Sequence, residues 1–146
     1  MGTVAHYVEV NAPAQACYDW WRPLTRLPEI MSDVRKVESK EGFADRTEWT
    51  VSGPAGTSVT WEAEIVEDSP PHKIAWSSVD SSDPDLKNAG VVRFDDRGDG
   101  TTGVEVSLEY DPPGGKLGDA VAAIFANPQS NVEQAVAEFK TIIENR

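Results

Sequence analysis

Val4, His6, Val8 and Val10 alternate with Ala5, Tyr7 and Glu9, the period of two that a half-buried strand imposes because successive side chains leave on opposite faces. The strand is expected to end at Asn11. In Asn11-Ala12-Pro13-Ala14 the proline falls where a first helical residue has no intrahelical use for its N–H, and Ala16, Cys17, Trp20 and Trp21 follow at helical spacing. A helix is therefore predicted from about Pro13 to Arg22. Pro23 and Pro28 bracket Leu24 to Leu27 and leave room for only a short helical turn before Met31.

From Val34 to Tyr110 the pattern changes to strand after strand. Thr47-Trp49-Val51, Val59-Trp61-Ala63-Ile65, Ile74-Trp76-Ser78, Val92-Phe94 and Val104-Val106-Leu108-Tyr110 each supply the apolar row of an alternating segment. Glu48, Glu62, Glu64, Arg93, Glu105 and Glu109 fall on the opposite rows. The breaks carry turn chemistry: Gly42, Gly53-Pro54-Ala55-Gly56, Pro70-Pro71, the acidic stretch Asp80 to Asn88, and Asp96-Arg97-Gly98-Asp99-Gly100. About six strands at hairpin distance predict an antiparallel sheet with one apolar and one wet face.

After Pro112-Pro113-Gly114-Gly115 the period becomes helical. Leu117, Val121 and Ile124 form a short stripe; then Asn127 is placed to cap a segment opened by Pro128, with Val132, Ala135, Val136, Phe139, Ile142 and Ile143 on one face. This last helix is the element large enough to cover the apolar side of the sheet. The order is strand, two short helices, sheet, long helix.

Composition narrows the function classes. The chain has 146 residues, 39% hydrophobic and 26% charged, an ordinary globular balance of single-domain size. Thirteen Lys and Arg against 25 Asp and Glu give a formal charge of −12, which argues against nucleic-acid binding and against docking on anionic lipid. A lone cysteine, Cys17, and two histidines, His6 and His72, make neither a disulfide scaffold nor a zinc-ligand cluster, so no metal site is expected. The chain starts without a cationic, apolar leader and contains no run of about 18 apolar residues, so neither secretion nor membrane insertion is expected and a cytoplasmic location is.

Val8-Glu9-Val10-Asn11-Ala12-Pro13, followed by Cys17-Tyr18-Asp19-Trp20-Trp21, Leu27-Pro28 and Met31, resembles the opening of the START/Bet v 1-like (SRPBCC) superfamily. Gly53-Pro54-Ala55-Gly56, Trp61-Glu62-Ala63-Glu64-Ile65, Lys73-Ile74-Ala75-Trp76 and Gly90-Val91-Val92-Arg93-Phe94 are similar to its bacterial polyketide cyclase/dehydrase branch. The resemblance implies an α+β helix-grip fold, a curved antiparallel sheet wrapped around the C-terminal helix, with a pocket between them for a hydrophobic small molecule. The superfamily holds aromatase/cyclases, lipid and quinone carriers, and chaperone regulators without a shared catalytic motif, so fold alone does not choose among them.

Trp49, Trp61 and Trp76 lie on inward rows of consecutive strands and, with Phe94 and Phe125, either line a cavity or fill a core. His6 and Tyr110, also on inward rows, are the candidate proton-transfer groups for closing a poly-β-ketone by aldol addition and dehydration, chemistry that calls on no cofactor. A carrier of a lipid, quinone or aromatic metabolite needs only apolar area and shape, and a chaperone-regulator-like module needs only the outer sheet face. Cys17 reads as a helix-packing residue and His72 as a solvated turn residue. Gly114-Gly115-Lys116-Leu117 lacks the spacing of a phosphate loop. Asp95 to Gly100 imitates a calcium loop but has Arg97 at a ligand position and Val106 at the closing one, so it is expected to be a hairpin turn. The polar stretch Asp80 to Asn88, with Ala89-Gly90 after it, is expected as a mobile connection that either gates a pocket mouth or has no role.

Overall fold

The computed structural model describes residues 2–31, 34–42, 45–52, 58–79, 88–110 and 128–145. Strand β1 (Gly2–Val10) leads into helix α1 (Ala14–Trp21) and a single 3-10 turn (Leu27–Glu29). The second short helix expected from sequence is thus one turn. Its brevity has a visible cause: Leu24 takes a left-handed φ of +61° directly after Pro23, breaking the helix, and Pro28 occupies the turn that follows. Strands β2 (Val34–Ser39), β3 (Arg46–Ser52), β4 (Ser58–Ser69), β5 (Lys73–Ser78), β6 (Asn88–Asp96) and β7 (Thr102–Tyr110) precede helix α2 (Pro128–Glu144).

The seven strands form one curled antiparallel sheet in the order β1-β7-β6-β5-β4-β3-β2. Alternation works as anticipated across most of it. Val104, Val106, Val92, Ile74, Trp76, Trp61, Trp49 and Val51 are buried on the inner face, while Glu48, Arg93 and Glu109 are exposed on the outer one. Outer-face carboxylates are partly paired, Lys36 with Glu38 at 2.7 Å, Lys40 with Glu62 at 2.6 Å and Arg46 with Glu64 at 3.8 Å. Between β6 and β7 the calcium-loop look-alike is a hairpin turn. Gly98 and Gly100 take φ of +81° and +87°, and the Arg97 N–H donates to the Thr101 carbonyl at 3.1 Å. Arg97 itself donates to Tyr7 Oη at 2.6 Å and pairs with Glu9 at 3.2 Å.

Two bulges break the alternation. Between Val34 and Lys36 the register with β3 slips, which lets Val34 and Val37 both face inward. On β4, Ile65 pairs with Trp76 and Glu67 with Ala75, so Val66 is extruded and stands 59% exposed. Beyond that bulge Asp68 pairs with Ile74 and shares its inward face. It meets α1 there, accepting a hydrogen bond from Tyr18 Oη at 2.5 Å and another from Arg22 Nε at 2.8 Å, while Arg22 Nη2 reaches Asp45 at 3.1 Å. Partial burial works to raise the Asp68 pKa, but these hydrogen bonds and the guanidinium charge hold the carboxyl below its ordinary 3.8.

Helix α2 packs on β1 and, to a lesser extent, β7, α1 on β5 and β6, and the 3-10 turn on β2. Val132, Ala135, Val136, Phe139 and Ile143 of α2 are buried, as its apolar stripe requires. Phe139 lies 5.1 Å from the Trp20 ring and 5.5 Å from the Trp21 ring, joining the two helices through aromatic contact. Polar side chains fix α2 along β1. Gln129 Nε2 donates to the Ala5 carbonyl at 3.1 Å, Lys140 Nζ to the Glu9 carbonyl at 2.8 Å, and Glu144 accepts the Asn11 N–H at 2.7 Å.

Two expectations follow. Phe139→Ala should lower stability by about 3–5 kcal/mol in denaturant titrations, and Phe139→Asp should abolish the cooperative thermal transition because it buries an unpaired carboxylate. A carboxyl whose pKa is depressed on folding contributes stability that is present above its unfolded pKa and lost as pH falls through the folded one. Asp68→Asn should therefore lower the thermal midpoint at pH 7, with the gap to the wild type narrowing once the pH drops well below 3.8.

Candidate functional site

The inner face carries its aromatic residues in two groups. Trp49 and Trp61 are direct cross-strand partners on β3 and β4, and their rings lie 6.1 Å apart at 17°. Trp49 also lies 6.1 Å from Trp76 at 29°. These are offset-parallel pairs, the arrangement favoured by the ring quadrupoles. A third ring inserted between two others needs about 7 Å, twice a van der Waals contact, so this row is closed to intercalation. All three are buried, between 2% and 6% exposed. Phe94 belongs elsewhere. It sits four residues along β6 from Gly90, the partner of Trp76, and packs edge-on against Tyr18 of α1 at 6.2 Å.

Gly90 explains how Trp76 fits. A Cβ at that position would collide with Cζ2 and Cε2 of the Trp76 ring, so the ring lies across bare backbone of the neighbouring strand. The sequence expectation that Asn88 to Gly90 belong to a mobile connection is corrected here. They are strand residues, all three paired to β7 and Ala89 and Gly90 also to β5. Asp80 to Lys87, with the gating role considered for them, and Phe125 lie outside the described residues.

His6 is half-buried on the inner row of β1, opposite Val106. Tyr110 ends β7, its backbone opposite Gly2 and Asn88. The row of Val4, Leu108, Gly90 and Trp76 runs between their positions. Four residues of strand separate the rows of His6 and Tyr110, about 13 Å, so the sheet places the two on either side of the Trp76 row and apart from each other. Cys17 is fully buried, and loss of hydration pushes its thiol pKa up to about 11, outweighing the opposing effect of its hydrogen bond with Thr102, the state of an inert packing residue. Among the described residues no three His, Cys, Asp or Glu side chains converge as a metal cage would, and no helix is long and apolar enough to cross a membrane.

Polar accounting of the row separates its members. Trp49 Nε1 donates to Thr47 Oγ1 at 2.8 Å. Trp61 Nε1 is buried without a partner among the described residues. Sequence reasoning singled out the ring but not this donor, since no pattern of residue types reports whether an indole N–H finds an acceptor.

Residues 10–137 match the family model described as polyketide cyclase/dehydrase and lipid transport. The chain belongs to that family. It is 31% identical to a structurally determined protein of Deinococcus radiodurans, covering 99% of this chain and 98% of that one with a TM-score of 0.77. An aromatase/cyclase from a Streptomyces species superposes with a TM-score of 0.78 over 99% of this chain and 94% of that one, at 19% identity, and so shares its fold. A 17.2 kDa protein of Streptomyces lincolnensis is 28% identical over all of this chain and 92% of its own length. Membership confirms the helix-grip α+β architecture within the SRPBCC superfamily that the sequence resemblance implied.

If Trp76 depends on the bare backbone beneath it, Gly90→Ala should destabilise the protein by about 1–3 kcal/mol in urea titrations. The tryptophan emission maximum should shift with it, reporting displacement of the ring.

Proposed function

We propose that this protein binds one flat, hydrophobic small molecule against the interior surface made by Trp49, Trp61 and Trp76, and that it acts on a poly-β-ketone as a cyclase. The observation that carries the reading is the stacked row itself. Trp61 and Trp76 each stack near-parallel on Trp49, an arrangement suited to a planar or folded polyketide, in a chain whose family includes polyketide cyclases. The likeness in fold to an aromatase/cyclase supports the same choice.

In the aldol step a base removes a proton from a methylene flanked by two carbonyls. The resulting carbanion attacks a ketone carbon further along the chain, the new alkoxide takes up a proton, and loss of water then gives the ring its double bond. His6 and Tyr110 are the groups proposed for these transfers. Their rows lie to either side of the Trp76 row, so a substrate reaching both must be elongated, as a chain of several ketide units is. The hydrophobic ligand is the partner this reading needs, with no nucleic acid and no cofactor. A second reading, a carrier of the same class of ligand, draws on the apolar character of the Trp76 row itself, Val4, Leu108 and Gly90, which supplies area without a titratable group.

An apolar, polarity-sensitive dye should bind the folded protein one-to-one and quench tryptophan emission, with Trp76→Ala weakening it. No saturable binding would favour an interaction module using the outer face. His6→Gln combined with Tyr110→Phe should preserve ligand affinity yet slow cyclisation of a test polyketide by on the order of a hundredfold. Unchanged turnover in that double variant would remove both residues from the chemistry.

A further inference from the structure

Trp61 is 6% exposed, and its indole nitrogen is one of two buried tryptophan N–H donors left without a partner among the described residues. The other belongs to Trp21, whose ring stands at 71° to Trp20 and 64° to Phe139. At such steep angles an N–H can rest against a neighbouring π face. Trp61 has no such relief from Trp49, because the two rings lie 17° from parallel and an N–H in the plane of one ring cannot point into the face of the other. Thr47 Oγ1, which accepts from Trp49 Nε1, makes no hydrogen bond to Trp61 Nε1. Native interiors rarely leave a donor in this state. A lone donor set in an apolar wall is, by contrast, the ordinary construction of a small-molecule site, where aromatic area gives affinity and one polar group gives orientation.

We propose that Trp61 Nε1–H donates to a ketone or quinone carbonyl oxygen of the bound molecule, so that the ligand is oxygenated where it meets the row and is not a bare hydrocarbon. This rests on the tryptophan row being the ligand surface. Recognition then works by penalty as well as by attraction. A ligand without an acceptor displaces any water able to reach Trp61 and leaves the donor unpaired, whereas a ketone or quinone carbonyl satisfies it.

The test uses two soluble probes of the same outline, anthraquinone-2-sulfonate and anthracene-2-sulfonate, which share three fused rings and one anionic group and differ in the two carbonyl oxygens. Binding is measured by calorimetry to the wild type and to Trp61→Phe, and nitrogen-proton spectra follow the five indole N–H signals. The wild type should prefer the quinone by about tenfold. In Trp61→Phe that preference should fall within about twofold, both probes still binding. The Trp61 signal, identified by its loss in the variant, should move downfield with the quinone and not with anthracene sulfonate. Should Trp61→Phe fail to fold, the signal is assigned through its proximity to the Trp49 ring and the wild-type spectra decide. Equal affinity of the wild type for both probes, a preference that survives in Trp61→Phe, or an unmoved Trp61 signal with the quinone bound would overturn the donor role while leaving the row as ligand surface. Absence of saturable binding of either probe to the wild type would overturn the surface and the donor together.

Discussion

The inner face of the sheet must be kept from water across seven strands, and the helices meet that face unevenly. Among the described residues their main contacts are with β1, β7, β6, β5 and β2. On β3, β4 and β5 the inner face carries Trp49, Trp61 and Trp76, which stack through Trp49. The remaining arrangement follows from this division. Phe139 joins the helices through Trp20 and Trp21, Gly90 yields its side-chain volume to Trp76, and the bulge at Val66 turns Asp68 inward to tie down α1.

The choice of tryptophan at position 61 is informative on energetic grounds. Stacking on Trp49 adds about 0.5–1.5 kcal/mol beyond burial of its area, while an unpaired buried N–H costs about 1–3 kcal/mol. Phenylalanine would keep much of the ring contact without that penalty. For pure core filling the indole is the poorer choice; in the proposed donor role, a ligand acceptor would offset the cost.

Much of the fold was legible because alternation is a geometric necessity in strands: the inward rows from Val4 to Leu108 and the α2 stripe from Val132 to Ile143 could be written down from spacing alone. The bulges could not, since an extruded residue such as Val66 looks like any strand residue until its partner strand is known. That is why Asp68, outward by parity, emerged beside Tyr18. The three tryptophans were found by the same alternation. Phe94 was grouped with them because parity reports which face a residue takes and not where along the strand it lies. The long apolar seam of α2 was visible, but the polar ties from Gln129, Lys140 and Glu144 depend on side-chain reach, which sequence spacing does not encode.

Those ties matter beyond docking. β1 ends the sheet on one side, and a sheet edge with free carbonyls is an invitation to another chain's strand. Gln129 and Lys140 occupy the Ala5 and Glu9 carbonyls, and Glu144 occupies the N–H of Asn11 just beyond. At the opposite edge β2 is six residues long, bulged, and carries the exposed Lys36 and Glu38, each a known deterrent to edge pairing. Release of α2 would therefore uncover apolar core and open hydrogen-bonding groups in a single event. In this protein loss of the native fold and the onset of strand-to-strand polymerisation are expected to share one trigger, the detachment of its last helix.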